Sequence, residues 1–367
     1  MHLRSVVPAL GLIALSVTAA SAQEIAKGVT LDGYVDVIAT GTTNDSGSTN
    51  STPSTTDFLS EAVVKVGWSL ADGKVNTLIS TRTGTDQGSL ALVEAYASVK
   101  ATPEITVSAG KSYGPFGYYS GYATGLTTTN YALTVNMYTV NPVGVWLAYA
   151  PNDKVTITGI LADGYSGQAN NYPVNGTYKV NGAANKVSKP GVISPGIDLV
   201  FNPTPELSLN LEGYLDPSAG APDADGTAGH VYFGGFNLQF KKGAILVAGE
   251  VLYQVVENAG RTASDDANNT SWAAFVTYTL PETSPIAGAV TAQVSQYLPG
   301  KTATTDNETV SKAQLALLTN PFAVSQFGLN YELFYIMDST SDNNIATLNT
   351  KDLNSFGVSI EGLFVIP

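Results

Sequence analysis

Cysteine is absent from all 367 residues. That excludes a disulfide framework, a thiolate nucleophile and any Cys-based metal site. Arginine is nearly missing, occurring only as Arg4, Arg82 and Arg261. Lys plus Arg total 17 against 30 Asp plus Glu, a formal charge of −13. Nucleic-acid binding needs clustered cations to neutralise phosphates, so no nucleic-acid partner is expected. Beyond residue 22 no apolar run approaches the roughly 20 residues of a membrane helix. Helical periodicity is scarce, whereas 36 Gly and 18 Pro recur throughout.

What is present begins with an export signal. MHLRSVVPALGLIALSVTAASAQ has a basic start at Arg4, an apolar middle and Ala-Ser-Ala at 20–22. This predicts a signal peptide over 1–22, cleaved after Ala22, and a mature chain of 23–367. Cleavage removes Arg4 and no acid, so the mature charge becomes 16 − 30 = −14. An exported chain with no cysteine needs another source of stability, and a large closed structure supplies one.

The dominant pattern after residue 22 is alternation with period two, the mark of strands with two unlike faces. In Val29–Thr40, Val29, Leu31, Val35 and Val37 alternate with Thr30, Asp32, Tyr34 and Asp36. In 207–216, Leu209, Leu211 and Leu215 alternate with Ser208, Asn210, Glu212 and Tyr214. About sixteen such segments start near 29, 58, 75, 89, 105, 143, 155, 192, 207, 230, 244, 270, 286, 308, 326 and 353.

Their connections sort by length. Tight turns such as ADGK (71–74), ATPE (101–104), PNDK (151–154) and KKG (241–243) alternate with long polar stretches. The long ones include 41–57, 112–142, 164–191 and 216–229; the segment around Asp86 is a short exception. A soluble sandwich or solenoid has no reason to sort its loops this way, and no fixed short repeat supports a solenoid. A transmembrane barrel does, with short periplasmic turns and long extracellular loops. The fold expected is therefore all-β: an antiparallel up-and-down barrel of about 16 strands in a bacterial outer membrane. Closure leaves no unpaired edge in lipid. Aromatics near strand ends, such as Phe58, Trp68, Tyr149, Phe201 and Tyr278, suit the girdles of such barrels. In the final segment Phe356, Val358, Ile360 and Phe364 share the lipid face, and a terminal strand of this kind is read by the outer-membrane assembly machinery. Lipids and that machinery are the expected partners.

Catalytic and cofactor chemistry finds little support. Gly110-Lys111-Ser112 suggests a phosphate-cradling loop, but the spacing requires glycine at 105, where Ile105 stands, and no helix follows. His230, the one histidine left after cleavage, has no serine motif beside it. Asp223-Ala-Asp225-Gly226 lacks the glutamate that completes a calcium loop. Neither an enzyme, nor a cofactor, nor a metal centre is expected.

The polar faces assign charges to a lumen. Acids pointing inward are Asp32, Asp36, Glu61, Glu94, Asp198, Glu212, Glu250, Glu332 and Glu361; bases are Lys65, Arg82, Lys100 and Lys312. Acids outnumber bases about two to one, which predicts a mild cation preference.

The stretch from about Val93 to Gly167 resembles the OmpL-like family of β-barrel porins. The likeness lies in EAYASVK (94–100), ATPEITVSAGK (101–111), the glycine-rich loop after it, NYALT (130–134) and NPVGVWLAYAPNDKVTITGILADGY (141–165). The resemblance implies a passive diffusion pore for ions and small hydrophilic solutes; it identifies no solute. By analogy with porins, sixteen strands imply a homotrimer. General porins fold one loop inward after the third short-turn pair, the position of 112–142 here. Pro115-Phe116-Gly117 resembles part of their constriction segment, without its acid. Tyr113, Tyr118, Tyr119 and Tyr122, with Lys111, are therefore expected to shape an aperture. The competing readings are a non-conducting barrel for adhesion or display, and a secreted soluble β-protein.

Overall fold

The computed structural model describes residues 23–46, 55–84, 91–112, 116–118, 126, 128–138, 142–164, 193–217, 229–258, 266–281, 284, 288–300, 308–320, 326–340 and 353–366. The signal segment 1–22, Tyr113, Tyr119, Tyr122, Arg261 and the Asp223–Gly226 loop lie outside the described residues.

A short strand, β1 (Gln23–Ala26), precedes the barrel. The barrel strands are β2 (Val29–Ser46), β3 (Thr55–Leu70), β4 (Val75–Gly84), β5 (Ala91–Lys100), β6 (Ile105–Lys111), β7 (Val143–Tyr149), β8 (Val155–Ala162) and β9 (Ser194–Thr204). They continue as β10 (Leu207–Asp216), β11 (Val231–Lys242), β12 (Ile245–Val256), β13 (Ala267–Thr279), β14 (Gly288–Leu298), β15 (Glu308–Thr319), β16 (Phe327–Thr340) and β17 (Leu353–Ile366). Each pairs antiparallel with the next, and β17 pairs back onto β2 from Ile366↔Gly33 to Leu353↔Ser46. The ring of sixteen strands is thus closed, and closure removes the sheet edges. No described helix is long and apolar enough to cross a membrane, which says nothing against crossing by strands.

Alternation decides which face each side chain takes. Val37, Leu211 and Leu333 are 47, 56 and 46% exposed, while their neighbours Asp36, Glu212 and Glu332 are 5, 3 and 1% exposed. The exterior carries large apolar residues on strand after strand. An apolar surface this extensive is what a lipid surrounding requires and far exceeds what a soluble monomer shows. Phe356, Val358, Ile360 and Phe364 all belong to it.

Two elements depart from the expected boundaries. The connection expected at 41–57 shrinks to 47–54, because β2 and β3 continue pairing up to Thr42↔Thr55. The segment is rich in threonine, which suits strands. The second departure is β1, which the alternation did not reveal in so short a piece. It turns at Gly28 (φ 72°) and pairs with β2 at Gln23↔Leu31 and Ala26↔Val29. It occupies the β2 edge just where β17 has run out, at Ile366↔Gly33. The backbone groups of β2 are thereby satisfied below the last barrel pair.

Candidate functional site: the barrel lumen and its inserted segment

The site is built where β6 ends. Gly110 has φ 133°, and a Cβ there would run into the Ala95 carbonyl and Tyr96. Only glycine takes that conformation at low cost, so the chain can leave the sheet at this point. Lys111 pairs in register with Ala95 and Val143, on the outward-facing set, and its Nζ donates to the Leu92 carbonyl at 2.6 Å. The chain then enters the lumen, and the described parts of 116–138 lie against the inner wall of β10–β17.

That docking has an aromatic part and a polar part. Phe116 is 2% exposed and packs on Tyr214 and Phe233 at ring distances of 5.3 and 5.9 Å. Tyr118 meets the Phe275 ring at 4.9 Å and donates its hydroxyl to Gln239 Oε1 at 3.4 Å. Leu133, Val135 and Met137 are buried along a single 3-10 turn, Leu133–Met137. Gly117 has φ 100°, and a Cβ on it would enter the Tyr138 ring, so glycine is required there as well.

A chain segment inside a barrel has no ladder to satisfy its backbone, and carboxylates on the wall do so instead. Glu212 Oε1 accepts the Gly117 N–H at 2.8 Å. Glu250 Oε2 accepts the Tyr118 N–H at 2.9 Å, and both its oxygens accept the Tyr138 hydroxyl, at 2.7 and 2.8 Å. Glu332 accepts from the Asn130 backbone at 3.1 Å and from its side-chain amide at 2.6 Å. The Asn130 amide also reaches Ser359 Oγ at 3.0 Å. Lys312 Nζ donates to the Tyr131 carbonyl at 3.0 Å and sits 5.4 Å from the Phe334 ring centre. Ser295 Oγ accepts the Leu133 N–H at 3.1 Å. The Tyr118 hydroxyl is pushed well above its ordinary pKa, first by burial and then by the charge of Glu250.

The same contacts divide the expected lining residues. Asp36, Glu94, Asp198, Glu212, Glu250, Glu332, Glu361 and Lys312 are all buried. Glu212, Glu250, Glu332 and Lys312 bind the inserted segment directly, and Glu361 accepts the Asn330 amide at 2.6 Å. Asp32, Glu61, Lys65 and Arg82 are partly exposed on the inner face of β2–β4. Arg82 Nη2 donates to Glu61 Oε2, and the Tyr34 hydroxyl donates to Glu61 Oε1. Lys100, at the last position of β5, is exposed at the turn-side rim. The acid excess counted from alternation is therefore not an excess of solvent-facing charge, because the inserted segment covers the richest acid wall.

Sequence reasoning missed the anchors Asn130, Leu133, Tyr138, Ser295, Gln314 and Ser359. A signal was available: NYALTVNMYTV (130–140) is apolar where an exposed loop would be polar. At the loop-side end of β11 and β12 a separate cluster joins His230 to Glu257. His230 Nδ1 lies 2.6 Å from Glu257 Oε2, and the Tyr232 hydroxyl donates to Glu257 Oε1 at 3.2 Å. It ties two strand ends together and does not touch the lumen segment in any hydrogen bond described.

A closed sixteen-strand antiparallel barrel with a segment folded into its lumen is the architecture of outer-membrane porins. Solved structures agree. The chain is similar to an anion-selective porin from Comamonas acidovorans, with TM-score 0.63, 13% identity, and 92% of this chain and 99% of that chain covered. It is also similar to the outer-membrane channel DcaP of Acinetobacter baumannii, with TM-score 0.64, 12% identity and coverage of 92% and 97%. A third is OprB of Pseudomonas putida, with TM-score 0.60, 10% identity and coverage of 93% and 94%. Identities this low establish the fold alone. No family model matches the chain, and no curated protein matches it, so the resemblance to the OmpL-like family has no such support.

Proposed function

We propose that this chain is exported through cleavage after Ala22, assembles in the bacterial outer membrane, and forms a water-filled channel for passive diffusion of ions and small hydrophilic solutes. The observation that carries the reading is the asymmetric lumen. A segment sealed to β10–β17 by carboxylates and aromatics narrows the barrel, while Asp32, Glu61, Lys65 and Arg82 on the inner face of β2–β4 stay partly exposed. A barrel of sixteen strands is wide enough for water, and a narrowing element converts that width into a size limit. The reading needs no cofactor and no catalytic step.

Charge selectivity is weak in this reading, with a slight preference for cations. The solvent-facing charges at the narrow level nearly cancel, so the preference comes from the net −14 of the mature chain (16 − 30) acting at the mouths. Such a field is screened over about 10 Å at 0.1 M salt, so the preference fades as salt rises. The similarity to an anion-selective porin favours the opposite sign as a second reading. Single-channel recording across a KCl gradient tests both. Discrete conductance with a small cation-side reversal potential is expected; a folded barrel without conductance removes the channel reading in favour of adhesion or display.

A homotrimer is the assembly proposed. A neighbour of the same architecture, OmpT of Vibrio cholerae, is described in a trimer form, at TM-score 0.54 and 14% identity. Native mass spectrometry in detergent decides between one and three copies.

A further inference from the structure

Five hydrogen bonds meet at one residue of the inserted segment, Asn130, which is 1% exposed. Its backbone N–H donates to Glu332 Oε2, and its side-chain amide donates to Glu332 Oε1 and to Ser359 Oγ. Its carbonyl accepts from Gln314 Nε2 at 2.9 Å and from Thr128 Oγ1 at 2.6 Å. Backbone N–H, side-chain amide and carbonyl are thus all in use. The wall partners stand on three consecutive strands, Gln314 on β15, Glu332 on β16 and Ser359 on β17. Register holds them: Glu332 is opposite Ser359, and Ser359 is opposite Thr40 of β2, whose hydroxyl oxygen lies 2.9 Å from that of Ser359. Gln314 Nε2 also donates to Glu332 Oε1 at 3.0 Å. The network therefore crosses the seam where the barrel closes. The next residue is keyed with the opposite sign, because Lys312 donates to the Tyr131 carbonyl and lies within electrostatic reach of Glu332. Glu361 faces Glu332 from β17.

The rest of the seat is less particular. Phe116, Leu133 and Met137 are held by burial, which is non-directional and tolerates a shift along the wall. Gly117, Tyr118 and Leu133 each give the wall one backbone N–H, which any residue but proline supplies. At 130 the wall asks for one side chain. Two amide hydrogens must meet two acceptors on neighbouring strands, and a carboxylate of the same size has no hydrogen to give. Acceptors carried on strands hold such a geometry more precisely than acceptors on loops.

We propose that Asn130 is the positioning residue that fixes the inserted segment against β15–β17 and thereby sets the width of the passage. It acts through Glu332, Gln314 and Ser359 and touches no solute. The inference rests on the channel reading above.

Asn130→Asp tests it, because the shape is kept while a donor becomes an acceptor facing Glu332. Single-channel conductance in KCl is the readout, and heat-modifiable gel migration verifies a folded barrel. At about pH 7 the variant is expected to conduct roughly twice as much as wild type, with frequent steps between levels. Below about pH 5 a proton shared by the two carboxyls restores a donor, and conductance is expected to return to the wild-type level. Combining Asn130→Asp with Glu332→Gln exchanges donor and acceptor and is expected to restore that level at neutral pH. Wild-type conductance from Asn130→Asp at neutral pH overturns the positioning role and leaves the channel standing. A changed conductance that neither acid nor Glu332→Gln reverses also overturns it, since a general loss of packing has no reason to answer to either. A folded wild type that conducts at no voltage overturns the channel reading and this inference together.

Discussion

The two halves of the lumen are made from the same alternation yet do opposite things. Along β10–β17 the inward carboxylates are spent on a chain segment: Glu212, Glu250 and Glu332 hold the N–H groups of Gly117, Tyr118 and Asn130. Along β2–β4 Asp32, Glu61, Lys65 and Arg82 stay partly open to solvent, and Glu61 and Arg82 answer one another across strands. The difference teaches that an inward acid is not by itself a pore charge. Its role depends on whether something inside the barrel needs an acceptor.

Removing the first part of the segment should reduce the difference most. Deletion of 114–124 removes the Gly117 and Tyr118 contacts to Glu212 and Glu250 and is expected to raise single-channel conductance roughly twofold. An unchanged conductance would mean that the segment does not narrow the passage. A smaller break is Gly117→Ala, which combines an unfavourable φ with a side chain driven into Tyr138. We expect a noisier open channel with frequent excursions to higher conductance. Phe116→Ala acts at the same place through lost burial. Comparable core truncations cost about 3 kcal/mol, enough to populate an undocked segment visibly.

The β2–β4 wall is sharpened by Glu61→Gln. Without the carboxylate, Arg82 keeps its charge and loses its Glu61 partner, while Asp36 remains within electrostatic reach. The reversal potential in a KCl gradient is expected to move toward chloride, with total conductance changed by less than about twofold. No shift would mean that Arg82 does not face the ion path.

The smallest expected effect is in alkali. Burial and the charge of Glu250 hold the Tyr118 hydroxyl above its ordinary pKa, so the docked segment keeps its proton where a freed one loses it. An acid with a raised pKa in the docked state stabilises docking less as pH climbs past the free value of about 10. Current noise should therefore grow above about pH 10 in wild type and grow less in Tyr118→Phe. An identical pH response in the two proteins would discard Tyr118 as the cause.

Much of the barrel is legible in the chain. Alternation placed strands near 207, 244 and 308, and they begin at Leu207, Ile245 and Glu308. It also assigned Asp36, Glu212 and Glu332 to the inner face, where they are found. Strand faces are a local matter, because successive side chains must point to opposite sides. The extension of β2 to Ser46 and the β1 hairpin were not legible, since both depend on which edge is left free after closure. The anchors of the inserted segment were not legible either. Asn130 and Glu332 are 202 residues apart, and nothing local links them.

By itself, then, the sequence determined a cysteine-free, acidic chain, the approximate number and the faces of its strands, and the alternation of tight turns with long connections. These are consequences of composition and of a period of two, which any short window carries. Only the tertiary structure decided which inward carboxylates hold the inserted segment. That choice rests on satisfying backbone N–H groups inside a confined lumen, where Glu212, Glu250 and Glu332 serve the segment while Asp32, Lys65, Glu61 and Arg82 stay partly exposed on the inner face of β2–β4.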